Sequence, residues 1–274
     1  MLLLAATPIG NLQDASPRLH EALEKADVIV AEDTRVIKSL IKALGLKVHA
    51  SFLSANEHSE ASQAKKIVTK ATSSLVVLVS DAGMPLVSDP GFLLVQTARN
   101  LGVPVSVLPG PSAGLAALAV SGLPTDRFVH EGFIPKKGRV PYLESLALEP
   151  RTMIFFESPH RLHQTLCDMA LVWGEDRLAC VARELTKLFE EVAWGSVGEL
   201  RDRFAHGTKG EIVIVVGGAT AGSTSLEDAL ATVNSLVAQG MKRSEACAVV
   251  AKESGIPKSE LYIASVEHHK GASQ

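Results

Sequence analysis

Aliphatic runs and amphipathic stretches alternate through the first half of the chain. Leu2–Thr7 reads as a buried strand. Ser16-Pro17 opens a helix, a cap residue followed by proline at the first helical position. Val28–Ala31 is a second short strand. Ile37, Leu40, Ile41 and Leu44 then share one face of a helix that ends at Gly45. The polar stretch Glu57–Thr72 predicts another helix, and Leu75–Val79 is the clearest buried strand. A loop rich in glycine and proline leads into a helix ending near Gly102 and a strand at Val105–Leu108. Strands alternating with helices predict a mostly parallel sheet covered on both faces.

Turn residues cluster at Ser121–Asp126, after which strand-like segments resume at Phe128–Phe133, Met153–Glu157, Leu178–Ala182, Leu188–Trp194 and Ile212–Val216. Helical patterns lie between several of them, which predicts a second α/β domain. Gly217–Thr224 reads as a linker, and from Ser225 to about Val266 the pattern is purely helical. There Ser244–Glu253, the turn Ser254-Gly255-Ile256-Pro257 and Ser259–Val266 have helix-turn-helix spacing. The expected organisation is an α/β domain at 1–122, a second at 123–218, a linker at 219–224 and a helical tail at 225–274.

With 46% hydrophobic and 21% charged residues in 274, the chain can bury a full core and is not a disordered protein. Aromatics make up only 4%, so that core must be aliphatic, as buried parallel strands require. No apolar stretch reaches the ~18 residues of a membrane span, and the N-terminal segment lacks the pattern of a secretion signal. Cys167, Cys180 and Cys247 are far apart and form no CxxC pair, as expected of free thiols in a reducing cytoplasm. A net charge of −3 argues against a general RNA coat protein, although a local basic patch would suffice for an enzyme.

The common nucleotide and metal signatures are absent. No Gly-x-Gly-x-x-Gly follows a strand, no Gly-Lys dipeptide allows a P-loop, and no HExxH or close His/Cys set suggests a metal. What remains is three loops at strand ends, where open parallel sheets bind ligands. Thr7-Pro8-Ile9-Gly10-Asn11 follows the first strand. The segment Ser80–Gly91 follows Leu75–Val79 and holds Asp81 and Asp89 among glycines and prolines. Leu108–Gly114 follows the fourth predicted strand, with Ser112 placed to cap a helix. Each has a plain structural reading as a turn or cap, but their combination is more specific.

Taken in order, these loops resemble the tetrapyrrole-methylase family over roughly residues 2–218. They are most similar to its branch that methylates small-subunit ribosomal RNA. Further segments share the resemblance: Ala31-Glu32-Asp33-Thr34-Arg35, Phe156-Glu157-Ser158-Pro159-His160-Arg161, Ala182-Arg183-Glu184-Leu185-Thr186-Lys187 and Thr208-Lys209-Gly210-Glu211. The resemblance implies S-adenosyl-L-methionine held in a cleft between two α/β domains. Carried over by position, Pro8 flanks the cofactor, while Asp81, Ala82 and Val87 line its methionine and ribose side. Ser112 and Ala113 hold its amino-acid end, and Phe156 faces it from the second domain. It also implies that the methyl group goes to the ribose 2′-hydroxyl of a cytidine in the decoding region of 16S rRNA, in the small ribosomal subunit, and that the enzyme is a homodimer.

Such a transfer needs a base for the hydroxyl proton. Glu157, Glu184, Lys209 and Asp33 are candidates, and the sequence does not choose among them. Glu157 and Arg161 also read as a helix-start network, and Arg183-Glu184 as an ion pair beside a strand. For RNA, the glycine-bearing loop with Lys136, Lys137 and Arg139 suits phosphate positioning, and Arg161 is grouped with it. Lys242 and Arg243 on the tail could face phosphates too, alongside Lys252 and Lys258, although Glu227, Asp228, Glu245, Glu253, Glu260 and Glu267 balance them. Two other functions compete: methylation of a small molecule such as a tetrapyrrole, and RNA binding without catalysis.

Overall fold

The computed structural model describes residues 1–55, 60–219, 226–254 and 256–271. The start of the helix expected at Glu57, the linker residues 220–225 and Gly255 lie outside these, as do the side chains of Glu227, Lys252, Glu253 and Glu267. The first half runs β1 (Leu2–Ala5), α1 (Pro17–Lys25), β2 (Val28–Ala31), α2 (Thr34–Ala43), β3 (Ser51–Ser54), α3 (Glu60–Lys70), β4 (Val76–Leu78), α4 (Phe92–Asn100), β5 (Val105–Leu108) and α5 (Ala113–Val120). Ser16 caps α1 as expected, its hydroxyl accepting from the Leu19 amide at 3.1 Å.

These strands form one five-stranded parallel sheet in the order β3-β2-β4-β1-β5. Successive side chains point to opposite faces, so each strand feeds two cores. Leu2, Val28, Val30, Val76 and Leu78 pack with Ala64, Ile67 and Val68 of α3 and Leu94 and Ala98 of α4. Leu3, Ala5, Ile29, Ala31 and Val77 face the other way, against Leu19 and Leu23 of α1 and Ile37 and Ile41 of α2. Both faces are thus covered by helices, and each fully buried Leu, Ile or Val contributes about 1.5–3 kcal/mol. The edge strand β3 escaped the sequence pattern because Ser51 and Ser54 flank only two half-buried apolar residues.

The second half adds β6 (Phe128–Phe133), α6 (Arg139–Ser145), β7 (Thr152–Glu157), α7 (Leu162–Trp173), β8 (Leu178–Arg183), β9 (Glu191–Ser196), α8 (Val197–Arg203) and β10 (Ile212–Val216). Its sheet has the order β6-β7-β10-β8-β9 and is mixed: only β6 and β7 are parallel, and β10 runs antiparallel between β7 and β8. The last strand before β10 begins at Glu191, later than the expected Leu188, because Leu188 and Phe189 sit exposed in the preceding loop. α5 packs its Ala117 and Leu118 on this second sheet, against Ile154, Cys180, Val213 and Val215. The division expected at residue 122 therefore falls inside one compact unit, which comprises Met1–Ser145 and Thr152–Gly217.

A second unit holds Leu146–Arg151 and Gly218–Gln274. It carries α9 (Leu226–Ala238), α10 (Arg243–Ser254) and α11 (Lys258–Gly271). Ala229, Val233, Ala246, Cys247, Val250 and Leu261 make its small core. No helix among the described residues is long and apolar enough to cross a membrane.

Candidate active site

The three loops singled out in the sequence meet at the carboxyl ends of β1, β4 and β5. Thr7 and Gly83 exchange backbone hydrogen bonds at 2.9 and 3.1 Å, which staples the loop after β4 to the loop after β1. The Ser80 hydroxyl lies 3.1 Å from the carbonyls of Ala82 and Gly83 and donates into that turn. Gly83 has φ +81°, and a Cβ there would stand 3.1 Å from Ile9 Cγ2 and 3.5 Å from the Pro111 carbonyl oxygen. All three loops converge on a point that only glycine fits comfortably.

Around it opens a cleft of about 400 Å³. The loop side of its wall carries Ile9, Asp81, Ala82, Val87, Asp89, Ser112 and Ala113. The second sheet supplies Phe133, Phe156, Ala182 and Val213. Of the seven residues carried over as cofactor contacts, Asp81, Ala82, Val87, Ser112 and Ala113 stand on this wall, and Phe156 faces them from β7. Pro8 does not: it is buried, and its neighbour Ile9 takes the place on the wall. Ser112 occupies the N-cap position of α5, but its hydroxyl makes no capping bond, so it is available to a ligand.

The size and chemistry of this space fit S-adenosyl-L-methionine. Its volume falls in the ~300–1,000 Å³ range of small-molecule sites, mostly apolar with a few polar groups. Asp81 offers a carboxylate for a ribose or an amino group; its Oδ1 also accepts from the Asp33 amide at 3.2 Å. Ser112 and the first amides of α5 offer donors for a carboxylate. Asp33 itself is committed elsewhere. It caps α2 through the Arg35 amide at 2.8 Å and binds the Arg35 guanidinium, whose hydrogen bonds hold its carboxyl down at about 2.

The expected catalytic candidates are mostly bound to other groups. Glu157 lines the cleft yet is 3% exposed, and both of its oxygens are engaged. Thr165 Oγ1 and the Ser158 amide each donate to it at 2.6 Å, and Arg161 pairs with it. This makes Glu157 a strut under the wall rather than a base. It also withdraws Arg161 from RNA, since that side chain bonds Glu157 and the Ile134 carbonyl. Glu184 accepts from Lys187 Nζ and the Glu211 amide, both at 2.9 Å, and these bonds hold its carboxyl below the usual range. Lys209 is exposed and stands off the cleft wall.

The loop around Glu184 is tightly built. Glu184 and Thr186 have φ +52° and +67°, a region unfavourable for side chains and worst for a β-branched one. A Cβ on Gly10 would fall 2.4 Å from Lys187 Cγ, and one on Gly210 would fall 2.4 Å from Glu184 Cγ. The two glycines therefore admit the side chains that tie this loop to the loops beside it. Thr208-Lys209-Gly210-Glu211 matters through Gly210 and Glu211, which line the cleft.

Of the basic residues, Lys136 and Lys137 are exposed on the loop that follows β6. Arg139 is not free for phosphate: it pairs with Asp168, both side chains 14% exposed. On the tail, Lys242 is exposed, whereas Arg243 donates to the Ser265 carbonyl. The sequence reading missed Phe133 and gave Asp89 no role. Both line the cleft. Burial first, then the charge of Glu32, pushes the Asp89 carboxyl up to about 6, against a hydrogen bond from Ser80 that lowers it. Two acidic residues in one Gly/Pro loop were the available signal for Asp89. No group of three or more His, Cys, Asp or Glu poised to hold a metal occurs among the described residues.

Comparison with known proteins gives this site a context. Residues 1–201 match the family model for tetrapyrrole (corrin/porphyrin) methylases. The ribosomal RNA small subunit methyltransferase I of Mycobacterium tuberculosis is 44% identical over 273 residues, covering 98% of this chain and 95% of that one. Its counterpart in Xylella fastidiosa is 43% identical over 265 residues, covering 94% and 96%. Among solved structures, diphthine synthase superposes with a TM-score of 0.60 at 16% identity, over 79% of this chain and 89% of that one. Uroporphyrin-III-C-methyltransferase from Thermus thermophilus gives 0.55 at 18%, over 79% and 93%. At such identities the structures establish the shared fold alone. The chain belongs to the tetrapyrrole (corrin/porphyrin) methylase family, in the branch of the ribosomal RNA small subunit methyltransferase I proteins.

Proposed function

We propose that this protein methylates the ribose 2′-hydroxyl of a cytidine in the decoding region of 16S rRNA, with S-adenosyl-L-methionine as donor. The observation that carries the reading is the cleft itself, in which three loops of a parallel sheet face an aromatic strand, in a chain over 40% identical to named small-subunit RNA methyltransferases. The cofactor supplies an electrophilic methyl group on a sulfonium. The chain's own residues bind, orient and exclude water. Asp81, Ala82 and Val87 border the ribose and methionine side, Ser112 and Ala113 hold the amino-acid end, and Phe156 closes the far side.

The apolar wall of Ile9, Ala182, Leu185 and Val213 favours a reaction in which a positive sulfur is neutralised. Asp89 is the carboxylate in place to accept the hydroxyl proton. It stands on the wall, and its raised affinity for a proton suits a base working near neutral pH. Lys136 and Lys137 position RNA phosphates, and the exposed Lys242 adds a contact from the tail. The enzyme acts in the cytoplasm as a homodimer. Exposed Val107, Leu115, Val120 and Trp194, on β5, α5 and β9, offer apolar surface to such a partner.

The test is methyl transfer from labelled cofactor to small ribosomal subunits lacking the modification, followed by digestion to nucleosides. The expected product is labelled 2′-O-methylcytidine. Label on a base, or on a porphyrin precursor in place of the subunits, would refute the reading.

A further inference from the structure

Strand β6 contains an irregularity that redirects one side chain. Its partners on β7 run Phe128↔Thr152, Val129↔Met153 and His130↔Ile154, then jump to Gly132↔Phe155 and Phe133↔Phe156. One residue is inserted between His130 and Gly132, and Gly132 has φ +71°. This is the geometry of a β-bulge with glycine in the left-handed conformation. In a regular strand His130 and Phe133 would point to opposite faces. Here both rings contact Phe156, His130 edge-on at 5.0 Å and Phe133 tilted at 5.3 Å.

The bulge thus brings Phe133 round to the cleft face. Its position is further fixed from the opposite side, since Ser88 Oγ lies where a Gly132 Cβ would meet it at 3.1 Å, and Ser88 itself has φ +64°. The product of this arrangement is a phenyl ring on the cleft wall that remains 65% exposed. A large exposed aromatic aimed at a cleft by a glycine bulge is not core packing. Three and four residues further on, Lys136 and Lys137 project into solvent.

A ribose hydroxyl that must enter a cleft to meet a methyl donor in line, at ~3–3.5 Å, does so most readily when its nucleotide leaves the stack of its neighbours. The base then needs a new surface. Single-stranded RNA sites provide one by placing an aromatic face beside cations that follow the backbone. We infer that Phe133 is the stacking platform for the base of the target nucleotide, with Lys136 and Lys137 holding the phosphates that flank it. This rests on the RNA substrate proposed above. It assigns to a bulged strand of the second sheet the task of seating the nucleotide against a cofactor held by the first.

The experiment compares Phe133→Ala, Phe133→Leu, Phe133→Tyr and Phe133→Trp. Each is assayed for kcat and KM on unmodified small subunits and, by calorimetry, for S-adenosyl-L-methionine affinity. Loss of one stacked base lowers kcat/KM about tenfold to a hundredfold in the Ala and Leu variants. Cofactor affinity stays within about twofold, and Tyr and Trp retain most of the activity. Three results overturn the inference: Leu performing as well as Tyr, cofactor affinity falling in step with activity, or an Ala variant as active as wild type. If the wild-type protein itself transfers nothing to the subunits, the RNA reading fails first, and that failure is recognisable before any variant is compared.

Discussion

The two sheets of the large unit are assembled on different principles. The first is wholly parallel, and both of its faces are aliphatic, with Ile29 and Val30 of one strand buried in opposite cores. The second is mixed, and charged networks hold its strand ends together. Glu157 is bound by Arg161 and Thr165, Glu191 by Arg183 and Arg203, and Lys187 by Glu184 and Glu211. The first sheet contributes loop residues to the cleft, whereas the second contributes side chains mainly from strand faces. Loops positioned by a buried parallel sheet suit a constant cofactor. Side chains on strands whose register can be shifted by a bulge suit a substrate that must be seated individually.

The contrast breaks first where stability is concerned. Ile29→Ala should cost about 2–5 kcal/mol by leaving a cavity, and that loss should be nearly independent of salt and pH. Glu157→Ala should cost about 3 kcal/mol for a different reason, because the Arg161 charge is left without its partner. Urea melts at two ionic strengths check both. The companion Thr165→Val change should cost about 1.5–3 kcal/mol, the worth of one buried hydrogen bond to a charged group.

Next in size is Asp89→Asn. If Asp89 is the proton acceptor proposed here, kcat should fall about a hundredfold or more. Stability should move the other way. The folded-state pKa of Asp89 is raised, so the fold binds this proton more tightly than the unfolded chain, and ionisation is a penalty that grows as pH rises through about 6. The Asn variant should therefore melt higher than wild type at pH 7 and match it near pH 4. Glu191 has the opposite sign. Although burial alone would raise its pKa, Arg183 and Arg203 lower it, so its contribution is present at pH 7 and fades as pH falls into the carboxylate range.

Asp81→Ala should weaken cofactor binding by roughly ten- to a hundredfold, as expected for one charged hydrogen-bonding partner, with little change in melting temperature. Smallest is the pair Lys136→Ala and Lys137→Ala. Each should reduce the slope of log affinity for RNA against log salt by about 1 and leave cofactor affinity alone.

Much of the first sheet could be read directly from the chain. Val28–Ala31 and Val105–Leu108 were bounded as they occur, and the Ser16 cap with Pro17 marked α1, because these signals are local. The second sheet was less legible because its order depends on long-range pairing. Nothing local tells that β10 inserts antiparallel between β7 and β8. Arg139 looked free because its partner Asp168 lies 29 residues away. The i,i+4 pair Glu157–Arg161, by contrast, was visible as a helix-start network. The loops that build the cleft stood out through their glycines and prolines. Phe133 did not, since the bulge that aims it breaks the period-two pattern by which strand faces are read.

The most direct measurement is calorimetric titration of S-adenosyl-L-methionine into the wild-type protein, the Asp81→Ala variant and the Lys136→Ala/Lys137→Ala double variant. A cofactor cleft built by the loops of the first sheet, with Lys136 and Lys137 serving RNA phosphates and not the cofactor, predicts one site per chain in the wild type and the double-lysine variant, and at least tenfold weaker binding in Asp81→Ala. Equal affinity in all three proteins, or no heat of binding in the wild type, would contradict the account.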